Sequence, residues 1–257
     1  MINFLKKVYY ALLSVYTLGR GKKIVINNHE LRFPERYYKY FVKDYEKENY
    51  QFLRSKLKKG DTVIDIGAHM GLFSVWAASY AGPSGKVYSF EPAPSTFKIL
   101  NRTARINHLE NVIVPVNAAV GEKRGTTKFY IADAAGDNSN SLVNYGDNIH
   151  KEYSVSVESV DEFTKEKGVK VDFLKIDAEG AELSVLKGAK NVLTQQKPIC
   201  ILAMHPASIL KFGDTNESIW DYIQTFGYSI WYRDKPIGKK DFCEKKELFD
   251  VHLLPGN

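Results

Sequence analysis

Two stretches of the chain put carboxylates and a histidine where a proton could be moved. In "VDFLKIDAEGAE" an apolar run ends in Asp177, followed by Glu179, Gly180 and Glu182. In "PICILAMHP" a second apolar run ends in His205. An imidazole with an ordinary pKa of about 6.5 is largely neutral near neutral pH, as a general base must be. His205 is therefore read as the base, with Asp177 orienting it or the substrate. The alternative is a histidine that merely closes a strand before Pro206. Glu182 reads as an acid in the first turn of a helix, stabilised by the helix dipole. Glu179 reads as a substrate contact. With Asp177 it could also form a carboxylate pair for a divalent cation, but two carboxylates are too few to assert a site, so no metal is expected.

A third stretch suggests a bound ligand. "DTVIDIGAHMG" is an apolar run with an acid, then Gly67, Ala68, His69 and Gly71, and then the apolar "LFSVWAASYAG". A strand running through a glycine turn into a helix lets backbone approach a ligand, and the helix start offers free N–H groups. Glu91, in "SFEP", lies 24 residues past Gly67, near the spacing at which a carboxylate accepts from ribose hydroxyls. Together these point to a ribose-containing cofactor. A dinucleotide turn would carry G-x-G-x-x-G, but here His69 and bulky Phe73 replace the second and third glycines. A nicotinamide dehydrogenase is accordingly the weakest candidate. His69 is either a ligand contact or a solvent-exposed turn residue.

The elements that must position these groups follow from the pattern. From residue 61 strand-like and helix-like segments alternate, as in an α/β doubly wound, mostly parallel sheet of about seven strands. Pro115 in "VIVPV" suggests an edge strand or an irregularity. Residues 122–160 break the rhythm with two strand-like segments around a polar excursion. There, Asn138, Ser139 and Asn140 are placed to contact an acceptor or cover the cofactor. Residues 1–60 form a helical and strand extension, and residues 61–257 one ligand-binding domain. In the extension, Leu5, Val8, Tyr9, Leu12, Leu13 and Tyr16 make one helical stripe. The expectation is a helix packed on its own domain or on a second subunit, with weak peripheral membrane contact as the alternative.

Composition narrows the class. The 257 residues are 44% hydrophobic and 26% charged, ordinary for a globular chain. Lys and Arg number 36 against 30 Asp and Glu, a net charge of +6, which suits an anionic partner without being a nucleic-acid signature. Two distant cysteines, Cys200 and Cys243, offer no disulfide framework, which points to a reducing, cytoplasmic setting. The longest uncharged N-terminal stretch is too short to span a bilayer.

Several of these stretches resemble the FkbM-type branch of the class I methyltransferases. They are "VIDIGAHMGLFS", "VYSFEPAPSTFKIL", "NVIVPVNAAVGEKRG", "VSVESVDEF" and, most specifically, "VDFLKIDAEGAELSVLKGA". The resemblance covers roughly residues 60–235 and implies a Rossmann-like sheet with a reversed last strand. It also implies S-adenosyl-L-methionine as donor and O-methylation of a sugar, glycan or natural-product hydroxyl. By motif match, Asp65, Gly67, Ala68 and Gly71 would line the methionine end of the cofactor, with Glu91 on the ribose and Asn117 and Ala118 near the adenine. In this family the fifth strand often ends in an acid two residues before the histidine, where this chain has Ala203. Two other classes stay open: an RNA methyltransferase using the basic surface, and a non-catalytic binding module on the same fold.

Overall fold

The computed structural model of the chain describes residues 2–131 and 151–256. The elements in order are α1 (Ile2–Tyr16), β1 (Lys22–Ile26), β2 (His29–Phe33), α2 (Lys47–Lys56), β3 (Thr62–Ile66), α3 (Leu72–Ala81), β4 (Lys86–Phe90), α4 (Pro94–Ile106) and β5 (Ile113–Val116). After these come β6 (Ala119–Val120), β7 (Gly125–Ile131), β8 (Lys151–Glu158), α5 (Val160–Lys167), β9 (Phe173–Ile176) and α6 (Glu182–Gly188). A π-helical turn (Val192–Gln196) leads to β10 (Ile199–Met204), α7 (Pro206–Lys211), α8 (Asn216–Gln224), β11 (Tyr228–Tyr232), β12 (Lys235–Pro236), α9 (Lys239–Cys243) and β13 (Phe249–Pro255).

The central sheet runs β12-β11-β13-β10-β9-β3-β4-β5. Strands β10, β9, β3, β4 and β5 are mutually parallel, and β13 is antiparallel to both its neighbours. This is the expected α/β sheet with its reversed last strand. The two-residue β12, hairpinned onto β11, brings the strands to eight. Pro115 lies on β5, the edge strand, where a missing N–H costs no ladder bond on the open side. The strand-like segments around the polar excursion leave the main sheet and form a separate one, β6-β8-β7.

Strand alternation explains the two-faced core. Ile64 and Ile66 of β3, with Leu174 and Ile176 of β9, face one layer, built with α5, α6, α8 and α9. Val63 and Phe173 face the other, which holds α3 and residues of the extension. Helix α3 is buried nearly all round, so the sheet can cover only one side of it. Its other side is covered by the extension: Tyr50 of α2 packs 4.9 Å from Trp76, and its hydroxyl lies 2.6 Å from that of Tyr80. Helix α2 also reaches the far strand, where Phe52 stacks on His252 of β13 at 3.7 Å and Asn49 donates to Asp250.

Helix α1 leaves most of its expected apolar stripe uncovered by the described residues. Of its predicted apolar stripe, Val8, Tyr9, Leu12 and Tyr16 are exposed, and Leu13 is half-buried. Among the described residues no helix is long and apolar enough to cross a membrane. Cys200 is fully buried, as its apolar neighbours indicated.

Candidate functional site

The carboxyl ends of β3, β4 and β9 open on one cavity of about 1050 Å³, its open mouth included. At the end of β3 the chain turns through Gly67 (φ 74°), His69 (φ 48°) and Gly71 (φ 90°) into α3. The reason for glycine at 67 is internal. A Cβ there would stand 2.0 Å from the carbonyl oxygen of Asp177, so the β3 and β9 ends can lie this close only without one. The N–H groups of Gly67 and Ala68 both donate to Phe90 O, which locks the turn onto the end of β4.

Glu91 continues β4 and is buried against this turn. Its Oε2 accepts from the His69 N–H at 3.0 Å and its Oε1 from the Ala93 N–H at 2.8 Å. Burial pushes its pKa up to about 7, against the pull of those two N–H groups. Glu91 lines the cavity with Gly67, Ala68, His69 and Ala118. His69 is not a solvent-exposed turn residue. It is largely buried in the cavity wall, and burial lowers its pKa to about 4. Its Nε2 is buried and has no hydrogen-bond partner among the described residues.

The remaining expected cofactor contacts lie behind this wall. Asp65 is fully buried, accepts from Ser74 Oγ at 2.6 Å and sits 3.6 Å from Lys175 Nζ. Gly71 begins α3 over Leu100. Asn117 is exposed and donates to the carbonyls of Glu91 and Pro92, which ties the β5 end to the β4 end. These three residues are absent from the cavity lining and frame it from outside.

Past the end of β9, Asp177 and Glu179 line the cavity, and His205 lies beneath them at 9% exposure. His205 Nε2 is 3.5 Å from Asp177 Oδ1 and 3.6 Å from Glu179 Oε2. Its Nδ1 is 2.8 Å from Glu182 Oε1, which also accepts from the Gly180 N–H. Burial works against the imidazolium, but the Glu182 hydrogen bond and the charges of Asp177, Glu182 and Glu179 outweigh it and raise its pKa to about 9. The sequence reading takes this imidazole as neutral, whereas the carboxylates of Glu182, Asp177 and Glu179 around the ring favour its protonated form. Glu182 is the principal one, and its position at the start of α6 is only part of its role. Glu179 itself, with φ 50°, is raised to about 7 by burial and by neighbouring acids.

Two groups in the cavity wall were not singled out in the sequence. Lys175, a lysine inside an apolar strand, is buried with its Nζ 3.1 Å from Asp177 Oδ2 and 5.5 Å over the Phe73 ring. Burial opposes its charge, yet Asp177, Asp65 and Glu46 raise its pKa well above the ordinary lysine value. The same pairing holds Asp177 below the usual carboxylate range against its burial. The extension supplies Phe41, Tyr45 and Glu46 to the wall, and burial pushes Glu46 up to about 7. The aromatic run "YYKYFVKDYE" was the available signal. Asn138, Ser139 and Asn140 lie outside the described residues.

One oxygen or nitrogen from each of Asp177, Glu179 and His205 falls within 4.8 Å of the others, a set that could take a divalent cation. Two of the chain's own cations, Lys175 and the His205 imidazolium, already lie against it.

The comparisons with known proteins agree with this architecture. The chain is similar to the hexuronic acid methyltransferase AglP of Haloferax volcanii, 26% identical over 161 residues, covering 62% of this chain and 62% of AglP. It is also similar to the methyltransferase sdnD of Sordaria araneosa, 24% identical over 162 residues, covering 52% of this chain and 62% of that protein. The chain therefore spans 62% of the length of each of these relatives. Among solved structures, the FkbM methyltransferase of Methylobacillus flagellatus KT shares the fold with a TM-score of 0.51 and 18% identity, over 75% of this chain and 43% of that one. The family model described as the methyltransferase FkbM domain matches residues 65–230, from the acid of the glycine turn to the middle of β11, and on that match the chain belongs to the FkbM methyltransferase family.

Proposed function

We propose that the chain is an S-adenosyl-L-methionine-dependent O-methyltransferase acting on a hydroxyl of a sugar, glycan or natural product. The observation that carries the reading is the placement of Glu91. Its carboxylate is fixed by two backbone N–H groups, and the residue lines the cavity beside the Gly67–His69 turn, where a ribose would be held. Bound there, S-adenosylmethionine would supply an electrophilic methyl group on a sulfonium. The acids at the reaction end suit that positive charge, and Phe41, Phe73 and Met70 give the cavity apolar wall.

The chain's own part in the transfer is to orient the acceptor oxygen and take its proton. Much of the rate in such a displacement comes from holding nucleophile and methyl carbon in line. Glu179 is half-exposed in the cavity with a pKa of about 7, so it accepts a proton near neutral pH. His205, kept charged by Glu182, aligns Asp177 and Glu179 from below. This exchanges the roles read from the sequence, where the imidazole was the base. The name of one relative, a hexuronic acid methyltransferase, supports an acceptor of the sugar class.

The test is calorimetry with S-adenosylmethionine and with NAD, followed by transfer of labelled methyl to a panel of sugars and polyols. Saturable binding of the sulfonium donor and label on a hydroxyl oxygen are expected. Binding of NAD without binding of the donor overturns the reading.

A further inference from the structure

We propose that α1 and the basic extension behind it seat the domain on an anionic membrane surface. The first observation is the face that α1 leaves uncovered. Val8, Leu12, Val15 and Tyr16 recur at spacings of four, three and one, with Tyr9 beside them, so they form one stripe. That stripe is exposed, with Leu12 at 65%, Val15 at 72% and Tyr16 at 83%. An apolar stripe in water is a docking surface for something. It is not a loose helix turned outward by chance. Tyr10, Leu13 and Ser14, on the other side, are half-buried, and Thr17 Oγ1 donates to Glu35 Oε1, which is paired in turn with Arg102 of α4. The helix is held by one face and presents the other.

Charge selects the occupant. Residues 1–60 carry 14 Lys and Arg against 5 Asp and Glu, a net +9, whereas residues 61–257 carry 22 against 25, a net −3. The positive excess of the chain therefore lies wholly in the extension. Part of it borders the apolar stripe. Arg20 and Lys22 are exposed just past the helix, Lys23 is exposed and paired with Glu30, and Lys39 lies beside Tyr38 and Tyr9. Exposed apolar and aromatic side chains flanked by cations match the interface of a bilayer bearing anionic headgroups, with the stripe among the acyl chains and the cations on the phosphates. Docking this way brings the cavity wall near the membrane, because the segment that touches α1 through Tyr38 continues into Phe41, Tyr45 and Glu46.

The test is co-sedimentation of the full chain with phosphatidylcholine vesicles and with phosphatidylcholine vesicles containing phosphatidylglycerol. Binding to the anionic vesicles, weakened by salt, is expected, with little binding to the neutral ones. Leu12→Glu with Val15→Glu should lower the bound fraction about tenfold or more by removing the buried apolar area. Lys22→Glu with Lys23→Glu should weaken binding to the anionic vesicles alone. All four positions are exposed, so S-adenosylmethionine calorimetry on the same variants should be unchanged, which separates this proposal from the assigned cofactor. No binding of the wild type to anionic vesicles overturns it. So does a dimer in light scattering that the Leu12 and Val15 changes split, since the stripe would then be a contact between copies.

Discussion

His205 Nδ1 lies 2.8 Å from the Oε1 of Glu182, a carboxylate with no exposed surface. A buried acid directed at the far nitrogen of the ring fixes the proton on Nδ1 and favours a second proton on Nε2, which faces Asp177 and Glu179. Glu182 thus decides which group in the cluster gives protons and which takes them.

Replacing Glu182 by Gln tests that assignment. With Glu179 as base and charged His205 aligning it, the rate should rise with pH through about 7 and fall through about 9. In Glu182→Gln the upper limb moves toward the ordinary histidine value, so at pH 7.5 turnover should fall about tenfold. Were neutral His205 the base, the same change would raise turnover at that pH. The stability change has a definite sign too. The folded pKa of His205 lies above its unfolded value, so its contribution is full below about 6.5 and is lost as pH rises through about 9. The melting temperature of the wild type should therefore decline across that window more than that of the variant.

Removal of the Glu91 carboxylate should act on the donor. At pH 8, above the Glu91 pKa of about 7, Glu91→Ala takes away a charged acceptor for ribose hydroxyls and leaves the His69 and Ala93 N–H groups without partners. A charge-assisted hydrogen bond contributes about 1.5–3 kcal/mol, so donor affinity should drop roughly tenfold to a hundredfold by calorimetry. An unchanged dissociation constant would remove Glu91 from the cofactor site.

The Gly67→Ala substitution separates two uses of one glycine. Its φ is +74° and a methyl group there would meet the Asp177 carbonyl at 2.0 Å. Stability should fall by about 2 kcal/mol or more in urea unfolding, whether or not donor is present. A variant of native stability that has lost only donor affinity would mean that the glycine serves the ligand and not the β3–β9 contact.

How far the sequence discloses these relations depends on their range. The β3 and β4 ends were legible because local pattern and a short spacing joined Gly67 to Glu91, and the fold followed from alternating strands and helices. The hydrogen-bond partners of Asp65 and Asn117 were not, since each lies on another element. The protonation of His205 was hidden for the same reason. Glu182 is 23 residues away and meets the ring only when β10 lies beside β9. The burial of Lys175 was marked by its place in an apolar strand, but its three acidic neighbours come from β3, the β9 end and the extension.

Lys175→Met follows from that burial. The change would leave Asp65 and Asp177 without their cation in a site nearly closed to water. Removing one partner from a buried pair costs about 3–5 kcal/mol, so the variant should unfold at markedly lower urea. Lys175→Met combined with Asp65→Asn should regain part of that loss, which a purely steric role for the lysine would not allow.

Chelation decides between two uses of the Asp177, Glu179 and His205 cluster. The three could hold a divalent cation, but Lys175 and the His205 proton already compensate the acids there. On that balance, dialysis against EDTA should leave methyl transfer within about twofold of its starting rate, and added magnesium should not raise it. A cation that polarised the acceptor hydroxyl would contribute several kcal/mol, on the order of a hundredfold in rate or more. A loss of that size on chelation, restored by magnesium, would make Asp177 and Glu179 ligands. Glu179 would then no longer be the base, and the rate limb near pH 7 would have to be assigned to the bound hydroxyl.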